Sequence, residues 1–183
     1  MIYLDGHRVL EDSDNRLNWN LLTGTSDWSG DWYNLKNAIT NKLEGNQVYT
    51  YSNQDWQGPT KTIHVDPGFY TFSLMMKVNG TLNGTVAFFI QPSYSRKKMP
   101  GLSSDSVYLT DGTAIIKNVK SGWNKYFASF NITEEGYIEP RIEASSNQNT
   151  ILLAEYKLEN GTVTTPWMPA IADLMLKKQN GER

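Results

Sequence analysis

The chain has 183 residues, 39% of them hydrophobic and 20% charged, with a net charge of −2 and no cysteine. That length suits one domain able to bury a core without covalent staples. The missing cysteines exclude a disulfide framework, a thiolate nucleophile and a Cys-ligated zinc, and apart from the short Arg96-Lys97-Lys98 run there is no basic field for nucleic acid.

Residues 1–19 read as a polar connector. The opening MIYLDGHRVLEDSD lacks the basic flank and apolar stretch of a signal peptide. Its Asp5-Gly6 pair is a candidate turn for a small hairpin. Asn20-Leu21-Leu22 then opens a loop region rich in Gly, Ser and Trp. Trp32, Leu35, Ile39 and Leu43 follow at roughly helical spacing, which fits a short helix or an irregular loop with its apolar residues tucked beneath the domain.

From Gln47 onward the pattern is β. Gln47–Ser52 alternates, and Thr60–Val65 does so weakly. Asp66-Pro67-Gly68 is a turn, since Pro presets φ and Gly accepts a positive one. Phe69–Val78 and Val86–Gln91 read as two strands joined through Asn79-Gly80 and Asn83-Gly84, the clearest hairpin expectation in the chain. Pro92–Ser104 reads as a loop. Short strands are expected at Val107–Thr110 and Thr113–Val119 about an Asp111-Gly112 turn, then at Trp123–Ile132, Tyr137–Ala144 and Ile151–Leu158. Two prolines in TTPWMPAIADLMLKKQNGER end the strand pattern. Ile171, Leu174 and Met175 are helically spaced, so residues 171–183 form a short irregular or helical tail. The expectation is an all-β, antiparallel β-sandwich of jelly-roll type over residues 20–170. No apolar run approaches the ~20 residues needed to cross a bilayer, so no membrane partner is expected.

Motifs for catalysis are missing. No phosphate loop, HExxH or GxSxG occurs. His7 and His64 sit in different contexts without a neighbouring nucleophile motif, and His64 reads as a surface strand histidine. Glu134 and Glu135 are adjacent in a turn and would diverge, unlike the facing carboxylates of a glycosidase. Asp12, Asp14 and Asn15 come nearest to a calcium loop but lack its glycine and distal glutamate. Asn79, Asn83, Asn131 and Asn160 begin N-x-T sequons, three of which are Asn-Gly-Thr and explained by turn formation. The reading is therefore a non-enzyme with no metal and no cofactor.

The unusual feature is aromatic content, 12% with six Trp and ten Tyr. Trp28, Trp32, Tyr33, Trp56 and Tyr94 lie in segments rich in Asp, Asn, Gln, Ser and Gly, while Trp19, Trp123 and Trp167 read as structural. A ring beside amides and carboxylates suits a sugar, whose C–H face packs on the ring while its hydroxyls take hydrogen bonds; the same rings also suit protein interfaces. Trp28, Trp32, Trp56 and Tyr94 are the candidate stacking residues, with Asp55, Gln57 and Gln91 as polar partners.

The ordered set Asn20-Leu21-Leu22 with Trp28, Trp56-Gln57-Gly58, Pro67-Gly68-Phe69-Tyr70-Thr71-Phe72-Ser73, Trp123–Phe130, Leu153–Gly161 and Thr165-Pro166-Trp167-Met168-Pro169-Ala170 resembles a family of β-sandwich modules. These are the modules of tail and baseplate proteins of phages of Gram-positive bacteria. The resemblance spans roughly residues 20–170. It implies a jelly-roll carbohydrate-binding module that helps a virion adhere to cell-wall saccharides of its host, among other tail or baseplate subunits. Most of the matching residues are implied to be framework: Gly68 for a turn, Tyr70 and Phe72 for packing, Trp167 as a lid. Two other functions stay open: a structural tail-assembly or oligomerisation domain, and an accessory module of a cell-wall glycosidase.

Overall fold

The computed structural model describes residues 2–4, 7–10, 18–35, 39–51, 56–80, 84–91, 101–102, 106–110, 112–145 and 150–180. The strands in chain order are β1 (Ile2–Leu4), β2 (His7–Leu10), β3 (Ile39–Leu43), β4 (Asn46–Tyr51), β5 (Ile63–Val65), β6 (Gly68–Asn79) and β7 (Val86–Gln91). They continue as β8 (Gly101–Leu102), β9 (Ser106–Thr110), β10 (Thr113–Ile116), β11 (Asn124–Ile132), β12 (Gly136–Ala144) and β13 (Thr150–Asn160), before helix α1 (Ile171–Gln179). All pairings are antiparallel. Of the Trp32–Leu43 stretch read as a short helix or an irregular loop, Ile39–Leu43 is instead β3, which pairs with β4; cross-strand partners override the helical spacing. Strands β1 and β2 pair across the Asp5-Gly6 position, and β9 and β10 across Asp111-Gly112. The loop expected at Pro92–Ser104 contains β8, which pairs with β11.

Two sheets form the sandwich, ordered β3-β4-β13-β6-β11-β8 and β5-β12-β7-β10-β9. Nearly every connection after β4 changes sheet. The expected β6–β7 hairpin is one of these: β6 pairs with β11 and β13, while β7 pairs with β10 and β12. Apolar burial is the cause. Phe72, Leu74 and Met76 of β6, and Val86, Phe88 and Ile90 of β7, all point into the core. Both rows bury completely only by facing each other across the sandwich, as the edge-to-face contact of Phe72 and Phe88 at 6.1 Å shows. The Asp66-Pro67-Gly68 turn likewise passes from β5 in one sheet to β6 in the other.

Strand β13 carries a bulge that decides what its far half buries. Ala154 pairs with Met75, but Lys157 pairs with Ser73, so one extra residue enters β13. Glu155 sits there at φ 56°. The insertion inverts the alternation. Ile151 and Leu153 face the core before it, Tyr156 and Leu158 after it. Lys157 and Glu159 therefore point to the outer face, yet their side chains are only 1% and 0% exposed. The chain after β13 folds back over them. Lys157 Nζ donates to Thr165 Oγ1 at 2.5 Å and to the Pro166 carbonyl at 2.8 Å. Thr165 N and Oγ1 donate to the two oxygens of Glu159, and Lys157 Nζ lies 3.1 Å from Glu159 Oε2. Lys125 also donates to the Thr165 carbonyl.

The start of the sandwich is fastened to the same strand. Strand β4 covers β13 only along Ile151–Leu153. Beyond that, Leu158 N donates to Asn20 Oδ1 at 3.0 Å, Asn20 Nδ2 donates to the Tyr156 carbonyl at 2.7 Å, and Leu21 N donates to the Leu158 carbonyl. Among the described residues no helix is long and apolar enough to cross a membrane.

Candidate functional site

The aromatic residues singled out from sequence divide sharply. Trp28 is 2% exposed, with its ring 5.0 Å from Trp32 and 5.0 Å from Tyr156, and its Nε1 donates to the Gln47 carbonyl. Trp32 is also buried in this cluster. Neither ring has a free face for a pyranose, so the expectation that Trp28 and Trp32 are stacking platforms is corrected: both are core. Their Asp-, Ser- and Gly-rich loop packs down onto β13 and carries the rings inward. Tyr33 stays exposed, its backbone bridged to Thr60.

Trp56 behaves oppositely. It is 47% exposed and lies at one end of the outer face of the five-stranded sheet. The segment that carries it runs beside β12. Trp56 N donates to the Ala144 carbonyl at 2.8 Å. Gln57 N donates to Tyr51 Oη at 3.2 Å, and the same hydroxyl accepts from Ala144 N. Gly58 passes against Ile142 so closely that a Cβ would stand 1.5 Å from its carbonyl oxygen. Trp56 itself has φ 54°, which turns its ring over the sheet toward Phe89 at a centroid distance of 6.3 Å.

Alternation along β12 sets the rest of this face. Ile138, Ile142 and Ala144 point into the core, which leaves Glu139, Arg141 and Glu143 on the outer side. Arg141 pairs across to Phe89 of β7, and its guanidinium lies 5.5 Å from that ring. Arg141 Nε is 2.5 Å from Glu143 Oε1, and its Nη1 is 3.9 Å from Glu139 Oε2. The Arg141 and Glu143 side chains are only 11% and 5% exposed, whereas Glu139 is 41% exposed and accepts from Thr62 Oγ1 at 3.0 Å. The arrangement is a half-exposed indole beside a phenyl ring, over a sunken ion pair, with one accessible carboxylate. A buried ion pair is weak support for a fold, because desolvation offsets most of its attraction. Here it provides fixed donors and acceptors at the base of an aromatic edge, which is what a polyhydroxylated ligand needs.

Of the polar partners read from sequence, Gln57 is exposed next to Trp56. Gln91 pairs with Glu139 through its backbone. Asp55 and Tyr94 lie outside the described residues, as do Asp12, Asp14, Asn15 and the Arg96–Lys98 run. Sequence reasoning missed Phe89, Glu139, Arg141 and Glu143. The available signal was the run of charges at every second position between Tyr137 and Ala144.

No family model and no curated protein matches the chain. Among solved structures it is similar to the CBM22-1 xylan-binding domain of Paenibacillus barcinonensis Xyn10C, at 13% identity and TM-score 0.45, covering 69% of this chain and 80% of that one. It is also similar to a candidate sugar-binding protein of Bacteroides thetaiotaomicron, at 10% identity and TM-score 0.47, covering 79% and 86%. A third is the BppUct-A-L tripod from the baseplate of bacteriophage Tuc2009, at 18% identity and TM-score 0.46, where the match covers 86% of this chain and 60% of that one.

Proposed function

We propose that the chain is a non-catalytic saccharide-binding module whose site is the outer face of the five-stranded sheet, around Trp56, Phe89, Glu139 and Arg141. The observation that carries this reading is the exposed Trp56 ring beside Phe89, above the sunken Arg141–Glu143 pair. A sugar ring stacks its C–H face on the indole while its hydroxyls meet Glu139 and the guanidinium. The resemblance of residues 20–170 to phage tail and baseplate modules supports adhesion to host cell-wall saccharides from a virion as the setting. Weak single sites gain avidity there through repetition.

The test is tryptophan-fluorescence titration of cell-wall polysaccharide fractions from Gram-positive hosts into the wild type and Trp56→Ala. The expected result is saturable binding that Trp56→Ala loses while its melting temperature stays put. Wild-type binding by a folded Trp56→Ala protein removes this face from the site.

A structural role in tail assembly is the second reading. It is favoured by Met175 and Leu176, apolar residues exposed on α1. A concentration-dependent oligomer lost in Leu176→Glu, together with no glycan response in the wild type, would decide for it.

A further inference from the structure

The end of β12 farthest from Trp56 holds a different cluster. Strands β5 and β12 pair with His64 opposite Tyr137 and Val65 opposite Gly136. Asp66 follows directly after β5 and Glu135 directly precedes β12. The ligand atoms of His64, Asp66 and Glu135 all lie within 4.8 Å of one another. His64 Nε2 is 3.1 Å from Glu135 Oε1, and the Tyr137 ring meets the imidazole edge-on at 5.1 Å.

We propose that these three residues form a binding site for a divalent transition-metal ion of the zinc class. The carboxylates of Asp66 and Glu135 come within 4.8 Å of each other just past the β5–β12 pair, and like charges this close repel unless a cation lies between them. The imidazole decides which cation. Calcium and magnesium take oxygen ligands, whereas imidazole nitrogen with carboxylate oxygen is a zinc-type donor set. Zinc bonds of about 2.0 Å put neighbouring ligand atoms roughly 3.3 Å apart, so the observed spacing closes by side-chain rotation alone. Three protein ligands leave one tetrahedral position for water. All three groups are exposed, which gives the ion a direct path. The bound ion ties the end of β5 to the turn before β12 at that end of the five-stranded sheet. Tyr137 and Ala144 are seven steps apart on β12, about 24 Å at strand rise, so the ion site lies far from the Trp56 end of the outer face and two residues from Glu139 at its near end.

The experiment is calorimetric titration of zinc alone into the full chain after chelator treatment and desalting. One ion per chain is expected. His64→Ala, Asp66→Asn and Glu135→Gln should each weaken binding at least about tenfold, the loss typical even of residues outside the first coordination shell. Because these side chains are exposed, the zinc-free variants should melt with the wild type. Zinc should raise the melting temperature of the wild type and not of His64→Ala. Lack of saturable zinc uptake, or wild-type stoichiometry and affinity in His64→Ala, would overturn the assignment. Calcium binding as tight as zinc would overturn the choice of metal class.

Discussion

Gly58 governs the candidate site from beneath it. No side chain fits between its Cα and the Ile142 carbonyl, where a Cβ would lie 1.5 Å from oxygen. That contact holds the segment against β12 and so aims Trp56 across the sheet. In Gly58→Ala the segment must lift, with a loss of about 1–3 kcal/mol typical of overpacking and a displaced Trp56 ring. Urea denaturation measures the first effect, and a weakened glycan titration the second. The contrast between Trp56 and Trp28 shows how far single residues were legible. Both sit among Asp, Ser and Gly, and both have positive φ, at 54° and 58°. What separates them is the surface each loop docks on: β12 for one, the open flank of β13 for the other. Local composition does not encode that destination.

The elements show the same division between local and distant information. The chain reversals at Asp66-Pro67-Gly68 and Asn79-Gly80 were readable because they depend on a few residues, although only Gly80 takes the expected positive φ, at 92°, while Gly68 is already the first residue of β6. The sheet joined by the next strand was not, because facing across the core satisfies the same alternation as lying side by side. The bulge at Glu155 was also hidden, since the insertion shows only against the register of β6. Its effect on stability is direct. Lys157→Met leaves the Glu159 charge buried beneath the Thr165 segment without its cation, which costs about 3–5 kcal/mol for a broken buried pair. A lowered urea midpoint with an unchanged denaturant slope is the expected observation.

Across the whole molecule, buried ionisable groups set the alkaline limit. Burial raises Tyr51, Tyr70 and Tyr156 above the ordinary tyrosine value of 10.0, Tyr156 by the most. Above that pH the unfolded chain releases protons that the folded chain keeps, so stability falls as pH rises. Burial lowers Lys125 and Lys157 below the ordinary 10.5, and this acts in the opposite sense. The folded chain sheds these protons first, and stability gains until the unfolded lysines have titrated. The two effects oppose each other up to that range, and past 10.5 only the tyrosine loss continues to grow. Urea midpoints measured against pH should therefore drop steadily beyond the lysine range, and Tyr156→Phe should flatten that drop.

The position of β13 has a consequence for how the domain is made. It is the last strand among the described residues, yet it lies in the middle of its sheet between β4 and β6, with Asn20 and Leu21 clasped along its flank. On a ribosome, β4 and β6 emerge long before the strand that must lie between them. The nascent chain holds an open seam with two unpaired strand edges until β13 clears the exit tunnel, so folding waits for synthesis to pass Asn160. Such long-range closure is intrinsically slow, and exposed edges in that interval invite pairing between neighbouring nascent chains.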